Sequence, residues 1–348
     1  MHITYLLLAI STGFLMSTIG VPAGWLLGSI ITGILWGVTR GTLQFGGYSF
    51  KVALSLVIAN IGLRLDLNTI YNLRSYLLPF TFTLLFTILC GYSLSLLLHK
   101  KSSVDGSTAF FCCLPGGASE IIAISKEYGA DDRIVAAFHT LRITFFVLTV
   151  PYLLGRYHKS DVVEATRQVT HLELSHLLFF PVVTILTLWL DRKFRFPGGA
   201  LLFAMAISFA ISTFITPIPT PPSYVTGIGQ AIIGSMVGIR FDKQVLVRLL
   251  GVGKIAFSLI GLYLGFSFIT GYLFHLMTQL SFSVSLLGTV PAGAAEMSAT
   301  AVALQLSPSI VASLQIMRVV ILFLLLPWLI KLFKWRLSKK EESLQSNE

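Results

Sequence analysis

LPGGASEI (114–121) interrupts an apolar run with Pro115, Gly116 and Gly117, residues that break helices, and sets Glu120 just past the break. VPAGAAEM (290–297) makes the same interruption with Pro291 and Gly293 and sets Glu296 at the same distance beyond it. The two stretches lie 176 residues apart, and that offset holds elsewhere: GLRLD (62–66) falls on GIRFD (238–242), His139 on Gln315, Arg142 on Arg318 and Pro151 on Pro327. An offset of 175 sets Pro22 and Gly24 on Pro197 and Gly199. Biased composition aligns Leu with Ile by chance, but not Arg, Asp, Glu and Pro at one register. The chain reads as a duplication: repeat 1 over 1–155, a polar linker over 156–174, repeat 2 over 175–334 and a basic-then-acidic tail over 335–348.

Composition sets the class. The 348 residues are 55% hydrophobic and 11% charged, with mean hydropathy +0.82, where a soluble domain carries about 25% charged residues. Ten apolar runs of about 17 residues, from 3–19 to 309–332, approach the length that crosses a bilayer. The fold class is an all-α polytopic membrane protein, since a barrel would alternate apolar and polar residues. The first run leads straight into Pro22 and a second span, so it reads as an uncleaved helix. A net charge of +10 could point to nucleic acid, but polytopic proteins collect Lys and Arg in their cytoplasmic loops; no nucleic-acid partner is expected. Cys90, Cys112 and Cys113 lie in apolar sequence and read as small buried residues. None of the seven His form an i, i+4 pair, and no G-x-x-x-x-G-K-[ST] loop occurs. No catalytic residue, metal or cofactor is expected.

The basic residues bear on topology. If each broken segment crosses the membrane, they divide 12 to 10 between the two sides; if each dips in and returns, they divide 17 to 5. The second arrangement obeys the positive-inside rule. It gives five spans per repeat, and an odd number inverts the second repeat. The expectation is two inverted repeats of about five spans plus one re-entrant PxG element each, with both termini cytoplasmic.

Non-helical backbone at membrane depth persists only where protein or a water-filled cavity covers it. Paired broken helices in inverted repeats point to a transport site. A break frees N–H groups that attract anions at one half-helix and C=O groups that attract cations at the other. The candidate solute- or ion-binding residues are Pro115, Gly116, Gly117, Glu120, His139, Arg142, Pro291, Gly293, Glu296, Gln315 and Arg318. His139 with Arg142, and Gln315 with Arg318, sit at i, i+3 and share a helix face. The expected pairs are Glu120 with Arg142 and Glu296 with Arg318. Such pairs can pin each break to its neighbour, or they can hold a carboxylate solute or a coupling H⁺ or Na⁺. Asp66 and Asp242 read as helix caps, and Asn60 as a single polar residue inside a span.

The doubled PGGASE and PAGAAE, each followed by an Arg-bearing helix, resemble the bacterial AbrB-duplication membrane protein family over nearly the whole chain. The resemblance implies a multi-pass protein of the bacterial cytoplasmic membrane. Members have carried the labels regulator of gene expression and ammonia monooxygenase. A monooxygenase needs clustered metal ligands and a DNA-reading regulator needs a soluble head, and this sequence offers neither. VPAGWLLGSIITGILWG (21–37) and IGLRLDL (61–67) are similar, more distantly, to cation–proton antiporters. The helix over 134–150 lacks their core aspartates, so the likeness implies a panel-and-core fold and no Na⁺/H⁺ assignment. By the same analogy the panel helices allow a homodimer. Two functions follow: a secondary transporter of a small anionic organic solute, and a non-transporting membrane regulator acting through a partner at the tail KLFKWRLSKK (331–340) or through a signalling metabolite.

Overall fold

The computed structural model describes residues 1–116, 118–157, 173–194 and 198–345, and these form helices without strands. Repeat 1 holds α1 (His2–Thr18), α2 (Gly24–Arg40), α3 (Gly47–Leu63), α4 (Leu67–Lys101), α5 (Gly106–Cys113), α6 (Ala118–Glu127) and α7 (Asp132–Tyr157). Repeat 2 holds α8 (Leu174–Phe194), α9 (Gly199–Ala210, with a π turn over Ile211–Ile215), α10 (Ser223–Gly238), α11 (Lys243–Val252), α12 (Lys254–Thr278), α13 (Phe282–Thr289), α14 (Ala294–Ala303) and α15 (Pro308–Gln345). α13 and α14 begin and end 176 residues after α5 and α6. Most of the linker lies outside the described residues, and α15 continues as helix into the tail.

Contacts fix the chain directions. α2 and α10 run parallel: Trp25 lies on Gly227 near the start of both, Ile30 on Gly238, and Gly37 on Phe241 past the end. α3 begins where these two finish. Phe45, just ahead of α3, packs with Tyr5, Trp36 and Ile239, the Tyr5 hydroxyl donates to Ser235 O (2.6 Å), and Phe50 lies 6.0 Å from the Arg240 guanidinium. α9 runs with α3. Asp191, in the last turn of α8, pairs with Lys51 near the start of α3 (2.6 Å), and Met205 and Ser208 further along α9 meet Gly62 at the end of α3. α9 is therefore antiparallel to α2, its own counterpart, and the repeats are inverted.

The same contact recurs with the repeats exchanged. Gly62 meets Met205 and Ser208, while Gly238 meets Ile30 and Gly33. In both places a side chain on the glycine would collide with opposing backbone, so the absence of a Cβ sets the helix spacing.

The breaks re-enter. Phe111 bonds His139 and Leu114 bonds Arg142, so α5 runs parallel to α7. The N–H of Asp131, beyond the end of α6, donates to Thr108 Oγ1 in the first turn of α5 (2.8 Å). α6 thus returns to the side from which α5 entered. In repeat 2 Leu287 bonds Gln315 and Val290 bonds Arg318, which sets α13 parallel to α15 in the same register.

Among the described residues, three helices are long and apolar enough to cross a membrane: Leu67–Lys101, Asp132–Gly155 and Lys254–Thr278. Shorter apolar helices among them are His2–Thr18, Gly47–Leu63, Gly199–Ile215 and Pro308–Leu322. A 17-residue helix rises about 25 Å, less than the ~30 Å of hydrocarbon. Length alone thus supports fewer crossings than the ten apolar runs suggest; the short helices need an untilted path or a thinned bilayer.

Candidate functional site: two proline breaks and their arginines

Each break follows from a proline. Leu114 and Val290, the residues ahead of Pro115 and Pro291, are extended (φ −66°, ψ 127° and φ −64°, ψ 130°), because the proline ring disfavours the helical region for its predecessor. α5 and α13 stop there, and carbonyls at their C-terminal ends lose helical partners. The arginines replace those partners. Arg142 Nη1 donates to Leu114 O (3.0 Å), and Arg318 Nη1 donates to Val290 O.

The residue three positions earlier supports each arginine. Gln315 Nε2 donates to Leu287 O (2.5 Å) and Val290 O (3.3 Å). His139 Nε2 meets Phe111 O (2.9 Å), and its Nδ1 meets Arg142 Nη2 (2.9 Å). An arginine nitrogen only donates, so Nδ1 accepts and Nε2 carries the hydrogen given to Phe111 O. The imidazole is neutral in this arrangement. His139 and Gln315 are fully buried, and Arg142 and Arg318 are 2% and 3% exposed.

The C=O side of each break is therefore occupied, which leaves the N-terminal side. Pro115 and Pro291 are buried, Gly116 and Gly293 half-buried. Gly293 caps α14 at φ +95°, and the Glu296 carboxylate folds back into the space a Cβ would take there. Glu296 is the third residue of α14, where a carboxylate meets free N–H groups and the positive end of the helix dipole. Gly117 and the Glu120 side chain, and with them the expected pair of Glu120 with Arg142, lie outside the described residues.

The expected Glu296–Arg318 ion pair is corrected by the structure. The one ion pair among the described residues is Lys51–Asp191. Arg318 turns to Val290 O because a buried carbonyl without a partner is costly, and Glu296 turns to its own helix terminus. The two side chains remain within electrostatic range of each other. Asp66 and Asp242 do cap α4 and α11, accepting from Thr69 N (2.7 Å) and Val245 N (2.8 Å). Asn60 is buried, and its Oδ1 has no hydrogen-bond partner.

Among the described residues, the other buried polar atoms without a hydrogen-bond partner include Arg142 Nε, Arg318 Nε, Gln315 Oε1 and Tyr263 Oη. Tyr263, on α12, went unnoticed in the sequence. Its ring lies 5.4 Å from Arg142 Cζ, and it packs edge-on against Phe146. Together with Arg142, Cys112 and Cys113 it lines a cavity of about 10 Å³, close to the room one water needs. A phenol inside an apolar span, opposite Thr87 in the repeat register, was the available signal. Arg142 and Arg318 come from equivalent positions of opposite repeats and lie within electrostatic range of each other. Two buried guanidiniums without an ion pair among the described residues are the chemical complement of an anion, since an uncompensated buried charge is costly.

The chain matches the family model described as "Transition state regulatory protein AbrB" over residues 3–334, which takes in both breaks. It is 30% identical over 253 residues to "Putative regulator AbrB" of Escherichia coli (strain K12), with 70% of each chain covered. It is 26% identical over 351 aligned positions to "Uncharacterized protein YhjN" of Bacillus subtilis (strain 168), covering 93% of this chain and 90% of that one.

Proposed function

Since the chain belongs to the AbrB family, we propose that this member is a secondary transporter of a small anionic organic solute, which binds between the two breaks and crosses by alternating access. One observation carries the reading. Arg142 and Arg318 are buried at equivalent points of inverted repeats, each with an Nε that has no hydrogen-bond partner among the described residues. The arginines also cover the carbonyl ends of the breaks. That favours an anionic solute over a cation bound directly by backbone oxygens. Glu296 shares the site and is the candidate carrier of a coupling H⁺, with Na⁺ the other ion to try. The protein works in the bacterial cytoplasmic membrane with both termini cytoplasmic. It acts without a catalytic residue or cofactor, and a homodimer through the panel helices is the assembly to test.

The test is uptake of radiolabelled mono-, di- and tricarboxylates into proteoliposomes, with and without a pH or Na⁺ gradient. Saturable uptake of one class, abolished by Glu296→Gln or Arg318→Ala in protein that still inserts, supports the reading. No uptake of any class, or normal uptake in both variants, ends it.

A second reading rests on the names. The family model and the Escherichia coli relative are both described as regulators. A regulatory effect can arise from a moved signalling metabolite or from a partner at the tail. Deletion of 337–348 separates these: a transporter tolerates it, and a tail-signalling regulator loses its effect.

A further inference from the structure

The Gly-x-Arg-x-Asp stretch occurs once in each repeat, and the fold accounts for all of its shared residues but one. Gly62 and Gly238 admit the opposing repeat's backbone. Asp66 and Asp242 cap the helices that follow. Arg64 and Arg240 have no such role. Both are exposed, and among the described residues neither guanidinium donates a hydrogen bond or joins an ion pair. A long cation at the same register of both repeats, with no hydrogen bond or ion pair among the described residues and, for Arg240, only the Phe50 ring beside it, invites another reason.

Placement supplies one. α3 and α10 are antiparallel, so their C-terminal ends carry Arg64 and Arg240 to opposite faces of the molecule. α10 also lies along the re-entrant helix of its own repeat, where Gln230 Nε2 donates to Ala299 O in α14 (3.2 Å). Arg240 extends past the end of α10 beside Phe50, within electrostatic range of Glu296. Arg240 is exposed, whereas Glu296 at the N-terminus of α14 is 7% exposed and Arg318 is 3% exposed.

We propose that Arg240 and Arg64 are solute-capturing residues, one at the mouth of the binding site on each membrane face, and that each draws a carboxylate toward the re-entrant helix of its own repeat. The inference rests on the anion-transport reading and extends it to the entry step. Inverted repeats make such a pair natural, because one sequence motif, written twice, serves both faces.

The experiment reads entry without requiring turnover. In full-length protein with Cys90, Cys112 and Cys113 replaced by Ala, Glu296→Cys provides a single reporter thiol. Membrane vesicles of both orientations are treated with an impermeant sulfonate-bearing thiosulfonate and with its trimethylammonium analogue. The ratio of the two labelling rates reports the local preference for anions. From the face on which α10 ends, Arg240→Gln is expected to lower the anion-to-cation ratio about fivefold, as removal of one charge several ångströms from the path predicts. Arg240→Lys keeps the ratio, and Arg64→Gln leaves it unchanged from that face. An unchanged ratio in Arg240→Gln, or an equal fall in Arg64→Gln, overturns the proposal. Succinate flux is followed in proteoliposomes of the parent protein that retains Glu296. A ratio that shifts while that parent moves no carboxylate upholds the capture residue and removes the transport reading alone.

Discussion

The break of repeat 1 and the break of repeat 2 share a backbone and differ in what surrounds it. In both, an extended residue precedes proline, and an arginine 28 positions later bonds its carbonyl. Around the first, His139 holds the arginine and the Tyr263 ring stands near it. Around the second, Gln315 bonds backbone alone, and the register equivalent of Tyr263 is Thr87, whose hydroxyl returns to Thr83 O in its own helix (2.8 Å). The flanking helices differ too. α4 runs unbroken for 35 residues through Pro79, while its counterpart is divided at Gly253 (φ +89°) into α11 and α12. What recurs is what holds a broken helix open at membrane depth. What differs is what would, on the proposed transport reading, give a two-fold site a preferred orientation for an asymmetric solute.

The sharpest way to break this comparison is to remove the shared frame. Gly238→Val sets a branched side chain into the backbone at Ile30, and overpacking there is expected to cost about 3 kcal/mol. Folded yield and Tm in detergent should fall steeply. Gly251→Ala is the control, since nothing lies within 4 Å of its Cβ position.

Next in size is the difference between the arginines. Arg318→Gln leaves Val290 O and the site short of a charged donor, a loss worth roughly 10–100-fold in binding. Arg142→Gln should lose less solute affinity, because His139 and Tyr263 already engage that guanidinium. Carboxylate Kd values for the two variants decide the matter: equal losses make the site symmetric.

Tyr263→Phe removes a buried hydroxyl that has no hydrogen-bond partner among the described residues. Stability should hold or rise slightly, because no protein hydrogen bond is broken. Solute affinity should drop several-fold if the hydroxyl serves the solute; unchanged affinity assigns Tyr263 to packing.

The smallest effect lies outside the membrane. Hydrogen bonds from Thr69 hold the Asp66 carboxyl below its usual range. The cap's contribution is therefore present above about pH 4 and fades as pH falls through the lowered value. The Tm of wild type should exceed that of Asp66→Asn at pH 7 and converge with it in acid; a gap independent of pH rules out the charged cap.

The candidate site was legible where residue type alone carries the physics. Pro115 and Pro291 announce a break because glycine follows each within two residues, where Pro79 without one stays inside an unbroken α4; an arginine in an apolar helix announces a partner, so Arg142 and Arg318 were visible. Which partner was not. Glutamate was the electrostatic expectation for Arg318, but the nearest need in the folded chain was the carbonyl that Pro291 had orphaned. Tyr263 stayed hidden because its role depends on α12 crossing from one repeat to the break of the other. Arg240 carries no such signal, because nothing local distinguishes a solvated arginine from one within electrostatic range of a buried acid.

By itself the sequence determined the membrane class, the duplication, the two breaks and, through the charge balance between loops, the expectation that they re-enter. Those properties follow from composition, periodicity and proline stereochemistry, which act along the chain. Only the tertiary structure decided the direction of each helix, the exchange of Gly62 and Gly238 contacts across the repeats, and the approach of two arginines to within electrostatic range, neither in an ion pair among the described residues. These depend on which surfaces approach, and an approach between residues 176 positions apart is written in neither of them alone.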